Sequence, residues 1–154
     1  MGNLAELLTA DAVRLGRAAG DRAAAIDQVG AVLVEIGAVA PDYVAAMHER
    51  EASVSTFIGE GVAIPHGTNA SREHVRRTAL TVVQFPDGVD WGGQDVRLCV
   101  GIAARDTEQV GVLSALARVL MVPEQAAELR EAPDADTVLR ILRTVEIDDE
   151  EKTQ

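Results

Sequence analysis

Lysine is nearly missing from this 154-residue chain: thirteen of its fourteen basic residues are arginine, and the one lysine, Lys152, stands third from the end. That excludes a Walker A lysine and a Schiff-base lysine from the folded body. Cysteine occurs once, at Cys99, so no intrachain disulfide and no multi-cysteine zinc site can form, which points to a reducing compartment or to indifference to redox state. The three histidines, His48, His66 and His74, are scattered without H-E-x-x-H spacing, so neither a metal site nor a cofactor is expected. No uncharged apolar run approaches the roughly 20 residues of a membrane span. The start of the chain, through Leu4, Glu6, Leu7, Leu8 and Asp11, has no basic n-region or cleavage signature. The expectation is a cytoplasmic protein without direct membrane insertion. Positive charge is also short, with 14 Lys and Arg against 25 Asp and Glu and a net charge of -11. Such a surface repels phosphate backbones and anionic lipid, so nucleic acid is not an expected partner.

What is present has the length of one ordinary domain, 47% hydrophobic, enough to bury about two-thirds of its unfolded surface around a single core. Leu4, Leu7, Leu8, Val13 and Leu15 form a loosely patterned lead-in able to pack on that core. Asp21 is placed to cap a helix whose apolar residues Ala25, Ile26, Val29, Val32, Leu33 and Ile36 recur at helical spacing until Gly37. Pro41 suits the first turn of a second helix, which should end near Ala52. Thr78 to Phe85 and Val96 to Ala103 read as interior strands, with Pro86-Asp87-Gly88 as a turn between them. Helical spacing returns from Glu108 to Leu120, Pro123 opens another helix, and Asp134 or Asp136 caps a last one. With 25 alanines and four aromatic residues, helices should pack closely on the sheet. The expected architecture is a single α/β domain over residues 1–145, a mixed sheet with helices on both faces. Residues 146–154 follow as an acidic, flexible tail, since five acids fill the six positions from Glu146 to Glu151.

Periodicity stops in the middle of the chain, where Gly59-Glu60-Gly61-Val62-Ala63-Ile64-Pro65-His66-Gly67-Thr68 joins one histidine to the residue types that shape a backbone. Pro65 fixes its own φ, and Gly67 can bring an N–H close to an anion with no Cβ in the way. A histidine in a tight turn can also be no more than a local hydrogen-bonding group. Its neighbours favour chemistry. Arg50, at the end of the preceding helix, has a guanidinium suited to phosphate oxygens, and Thr68, Asn69 and Ser71 offer donors and a helix start. Imidazole is a competent nucleophile when neutral, so phosphoryl transfer to His66 needs neither ATP nor a metal cage.

Three ordered blocks resemble a known family. They are Ser55-Thr56-Phe57-Ile58-Gly59-Glu60-Gly61-Val62-Ala63-Ile64-Pro65-His66-Gly67-Thr68, then Gln84-Phe85-Pro86-Asp87-Gly88-Val89-Asp90-Trp91, then Val100-Gly101-Ile102-Ala103-Ala104-Arg105. Together they are similar to the IIA components of the bacterial phosphoenolpyruvate-dependent sugar phosphotransferase system, in the mannitol and fructose branch. The run from Pro41 to Glu51 and the short link from Arg105 to Glu108 look most like the mannitol type. The resemblance implies that His66 takes a phosphoryl group from the carrier HPr and passes it to a cysteine of a IIB or IICB component for mannitol uptake. It further implies that Arg50 steadies the phosphate while Glu60, Pro65, Gly67 and Thr68 shape the site. Family members usually carry a second histidine where this sequence has Gln109, which can donate a hydrogen bond but cannot carry a proton. A fructose-type IIA and a regulatory relative sensed through its phosphorylation state remain open beside the mannitol carrier.

His48 and His74 lie in charged stretches and read as surface histidines. Cys99, between Leu98 and Val100, reads as a small core residue. Arg72, Arg76 and Arg77 read as a solvated face with local ion pairs.

Overall fold

Asp21 starts the first helix as its side chain predicts: its carboxylate accepts from the backbone N–H of Ala24 at 2.8 Å, and α1 runs Arg22–Glu35. In the computed structural model, which describes residues 2–105 and 107–147, Gly37 ends that turn with φ 77° and α2 follows at Asp42–Ser53. The later helices are α3 (Glu108–Leu120), α4 (Pro123–Arg130) and α5 (Ala135–Arg143). Of the two aspartates able to cap α5, Asp134 does so, accepting from Thr137 N at 2.8 Å and from its hydroxyl at 2.7 Å. Those bonds favour its ionised form and hold its carboxyl below the usual range.

Five strands form one mixed sheet: β1 (Val13–Arg14), β2 (Phe57–Gly59), β3 (Val62–Ala63), β4 (Ala79–Trp91) and β5 (Gln94–Ala103), in the order β1-β4-β5-β3-β2. The long strands β4 and β5 are antiparallel and central, β1 runs parallel to β4 and β3 parallel to β5, and β2 closes an antiparallel hairpin on β3. Alternation along β4 explains the two helical layers. Val83 shares a small crevice with Ala31 and Val32 of α1, while Gln84, on the opposite face, donates to the carbonyls of Leu129 and Ala132 at the end of α4. Ala25, Ile26, Val29 and Leu33 of α1 are fully buried, as are Val112, Leu116 and Leu120 of α3, and a Cβ at Gly101 of β5 would meet Val29 of α1 at 2.3 Å.

Two readings change. Pro86-Asp87-Gly88 is not the hairpin turn. The ladder from Ala79 continues to Trp91 with a register shift between Gln84 and Val89, and the turn lies at Gly92 and Gly93, with φ 65° and 96°. A proline is tolerated here because β1 covers β4 only at Val82 and Val83, so the missing N–H at Pro86 deprives no ladder partner. The tail also begins later than charge suggests. The N–H of Ile147 bonds Gly2 O at 2.9 Å, and Ile147 is 3% exposed. The acidic residues after it, with Lys152, lie outside the described residues.

Among the described residues no single helix is long and apolar enough to cross a membrane, and no three His, Cys, Asp or Glu side chains gather as a metal-holding group.

Candidate functional site

After β3 the chain stays beside β5: the N–H of Ile102 donates to Pro65 O at 3.0 Å, and His66 bridges to Ile102 in parallel register. His66 therefore sits at the C-terminal end of the central strand, where connections leave the sheet and ligands commonly bind in α/β folds. It is 5% exposed, so a reaction partner can meet only an edge of the ring.

Its tautomer follows from its neighbour. His66 Nδ1 lies 2.7 Å from Ile64 O. A carbonyl oxygen can only accept, so Nδ1 carries the hydrogen of the neutral ring and Nε2 keeps a lone pair. Burial pushes the imidazole below its ordinary value of 6.5. The Ile64 carbonyl opposes that shift, the Arg50 guanidinium adds to it, and the Glu51 carboxylate opposes it. A neutral ring with one nitrogen tied and the other free is the state a nucleophile requires.

Arg50 comes from the last turn of α2, where a cation also suits the helix dipole. The half-buried side chain donates through Nη1 to Val54 O, and its other N–H groups have no partner among the described residues. The chain thus supplies a cation close enough to act on His66 with donors to spare.

The remaining candidates divide. Pro65 is buried beneath the turn. Thr68 is half-buried at the head of a 3-10 segment, Asn69–His74, and its carbonyl accepts from Ser71 Oγ at 2.6 Å. The helix start expected there is the start of this six-residue 3-10 helix, with Thr68 at its N-cap position. Gly67 is present for a different reason from the one expected. Its N–H is taken by the Tyr43 hydroxyl at 2.8 Å, which itself donates to Ile102 O at 2.9 Å. A Cβ at Gly67 would meet Ser71 Oγ at 2.4 Å and Tyr43 Cε1 at 2.6 Å, so glycine admits the tyrosine rather than an anion. Glu60 is not brought to His66. It lies in the β2–β3 turn with φ 53°, its carbonyl held by Arg130. The adjacent Gly61 is level with Arg97, to which it is bonded at 2.8 Å, and from there to Ile102 is roughly 16 Å along β5. Gln109 lies in the first turn of α3, half-buried, beyond the same end of β5 as His66. The loop leading to it is braced by Thr78, whose hydroxyl donates to Glu108 at 2.8 Å and accepts from Arg105 N at 3.0 Å.

Two residues of this frame were not singled out by pattern: Tyr43, and Glu51, whose buried carboxylate accepts from Trp91 Nε1 and Thr56 N, both at 3.0 Å. The only tyrosine and the only tryptophan of an aromatic-poor chain both serve the site, a signal that composition offered. Cys99 is fully buried and its thiol pushed far up by desolvation, which suits a core residue. His48 pairs with Asp27 at 2.7 Å.

The family described as "Phosphoenolpyruvate-dependent sugar phosphotransferase system, EIIA 2" matches residues 6–145. The chain belongs to that family. This EIIA domain is 38% identical over 138 residues to the mannitol-specific phosphotransferase enzyme IIA component of Staphylococcus aureus (strain Mu50), covering 90% of this chain and 96% of that protein. It is 43% identical over 136 residues to the multiphosphoryl transfer protein of Escherichia coli O157:H7, of which it spans 36%. Its fold superposes with a TM-score of 0.83 on the Escherichia coli enzyme IIA of a complex with phosphorylated enzyme IIB, both of the mannitol system, at 35% identity over 90% of this chain and 99% of that one. The domain is thus a phosphotransferase-system component most like the mannitol type.

Proposed function

We propose that this EIIA domain is a phosphocarrier of mannitol uptake that holds the phosphoryl group on His66. The observation that carries the reading is the tied Nδ1–H of His66, which leaves Nε2 as the nucleophile with Arg50 beside it. Uptake forms a bond from Nε2 to the phosphorus of a phosphohistidine donor, HPr. The donor's P–N bond breaks, and its imidazole leaves with the electron pair. Delivery reverses the roles: a cysteine thiolate of a IIB or IICB component attacks the phosphorus, and His66 leaves as the neutral ring with Nδ1–H still on Ile64 O. No proton needs to move on His66 in either step. Arg50 offsets the phosphoryl charge, with Thr68 a nearby polar group, and the chain works in the cytoplasm, where donor and acceptor meet. The enzyme IIA–IIB complex of its relative supports the acceptor.

The test is incubation with phosphoenolpyruvate, Enzyme I and HPr, followed by addition of a mannitol IIB. The chain should gain one phosphoryl group by intact mass and lose it to IIB; no gain with active HPr would end the reading.

Gln109 gives a separate expectation. Glutamine can orient a phosphoryl group by a hydrogen bond but adds no charge, so transfer should lack the titration a second imidazole contributes between roughly pH 6 and 7. Gln109→His should introduce it, favouring the phosphorylated form on the acid side. Superimposable rate and equilibrium profiles across that window would make charge at this position irrelevant.

A further inference from the structure

Glu51 occupies an unfavourable place for an acid. It lies in the last turn of α2, where the helix dipole disfavours negative charge, and it is 7% exposed. Burying a carboxylate is costly unless donors surround it, and here they do. Oε2 accepts from Trp91 Nε1 and from Thr56 N at 3.0 Å each, and Oε1 accepts from the Thr56 hydroxyl. Three donors converging on two oxygens suit an acceptor-only group.

These bonds lead to both working parts of the site. On one side they close the segment from Glu51 to Thr56, within which Arg50 reaches the Val54 carbonyl. On the other, Thr56 O accepts from Ile64 N at 3.0 Å, and Ile64 O is the acceptor that orients His66 Nδ1. Trp91, carried to α2 by the hairpin beyond the β4 bulge, anchors the whole from the sheet and is 1% exposed. We propose that Glu51 is a positioning residue for phosphoryl transfer, its buried carboxylate holding the Arg50 turn and the Thr56–Ile64 link to His66 in one frame. This rests on the function proposed above. Glu51 touches no reacting atom; it acts through Arg50 and His66.

Charged and titratable groups that the chain brings to this end of the sheet include Arg50, Glu51, Arg76, Arg77, Arg105 and Glu108, with Arg72, Glu73 and His74 in the segment after His66 and Tyr43 and Gln109 as neutral neighbours. Arg50 and Glu51 are the two whose charge is felt at His66, with opposite signs.

The experiment uses the full chain and three variants: Glu51→Gln, which keeps shape and removes charge; Thr56→Val, which keeps the charge and loses the hydroxyl donor; and Trp91→Phe, which keeps the charge and loses the indole donor. Circular dichroism melts establish folding, NMR follows the His66 ring titration without any donor present, and rapid quench with phosphorylated HPr gives the transfer rate. Folded Glu51→Gln should transfer about tenfold more slowly, as expected for a displaced reacting group, and its His66 should titrate at lower pH than the parent's. Thr56→Val should slow transfer less. A folded Glu51→Gln with the parental transfer rate overturns the proposal, whatever its His66 titration. Should Glu51→Gln not fold, Trp91→Phe decides: slowed transfer in a folded protein supports the role, and a parental rate overturns it. A parent that takes no phosphoryl group would refute the carrier function itself, whereas a parent that takes it while Glu51→Gln transfers equally fast would refute only the role of Glu51.

Discussion

Replacing His66 with alanine should abolish phosphoryl uptake from HPr, leaving the intact mass unchanged after incubation with the complete phosphoenolpyruvate system, while the parent gains an acid-labile, base-stable phosphoramidate. No other imidazole can substitute. His48 is held by Asp27 on the α1–α2 surface, and His74 ends the short turn after the site. Phosphate retained by the His66→Ala protein would refute the assignment. Removing the ring costs its hydrogen bond to Ile64 O, about 1 kcal/mol, together with the packing of a side chain only 5% exposed, so a circular dichroism melt should accompany the mass measurement to show that the variant is folded. The pH profile carries a second signature. Burial first, and then Arg50, holds the His66 imidazole below 6.5, so its neutral form persists as the pH falls through the ordinary histidine range. Transfer should hold level through pH 6.5 and decline only below it. Stability follows the same sign. Because the unfolded chain binds this proton more readily than the folded one, the contribution of His66 is complete above 6.5 and is lost as the pH falls toward the lowered native value. His66→Ala should remove that component of the acid sensitivity.

Arg50→Ala should slow transfer by about 10²–10³, the usual cost of losing a preorganised group aimed at developing charge, with little change in thermal stability. The half-buried side chain holds one carbonyl, Val54 O, which water can serve instead. Arg50→Lys should recover part of the loss, because an ammonium restores charge without the planar fork that grips two oxygens. Rapid-quench rates from HPr and to IIB measure both steps; parental rates in Arg50→Ala would remove the residue from the mechanism, and loss of folding in both variants would make it structural. The His66 titration supplies an independent check. Arg50 depresses the imidazole and Glu51 raises it, so Arg50→Ala should move the titration up and Glu51→Gln down. Opposite shifts from adjacent residues are hard to produce by general loosening of the turn.

Local signals located most of the elements. Asp21 and Asp134 cap helices by a bond that spans three residues, α3 runs over the predicted Glu108–Leu120, and the two apolar β-branched runs became the central strands. The failures occur where a local pattern meets a distant partner. Pro86-Asp87-Gly88 carries turn chemistry, yet the ladder with β5 continues past it because β1 is too short to need the proline's missing donor. Ile147 sits among acids but is buried, with its N–H on Gly2 at the other end of the chain.

The same division holds at the site. By itself the sequence pointed to one histidine in a proline- and glycine-shaped turn as the centre of the proposed chemistry, in a chain whose one lysine is Lys152 and whose one cysteine can close no intrachain disulfide, because residue type and spacing along one segment are enough to raise that expectation. Only the tertiary structure decided which neighbours matter. Glu60 precedes His66 by six positions but lies at the far end of β3, since an extended chain separates residues that a turn would bring together. Tyr43 and Trp91, remote in sequence, close over Gly67 and Glu51 because buried polar groups must find partners wherever the packed elements supply them.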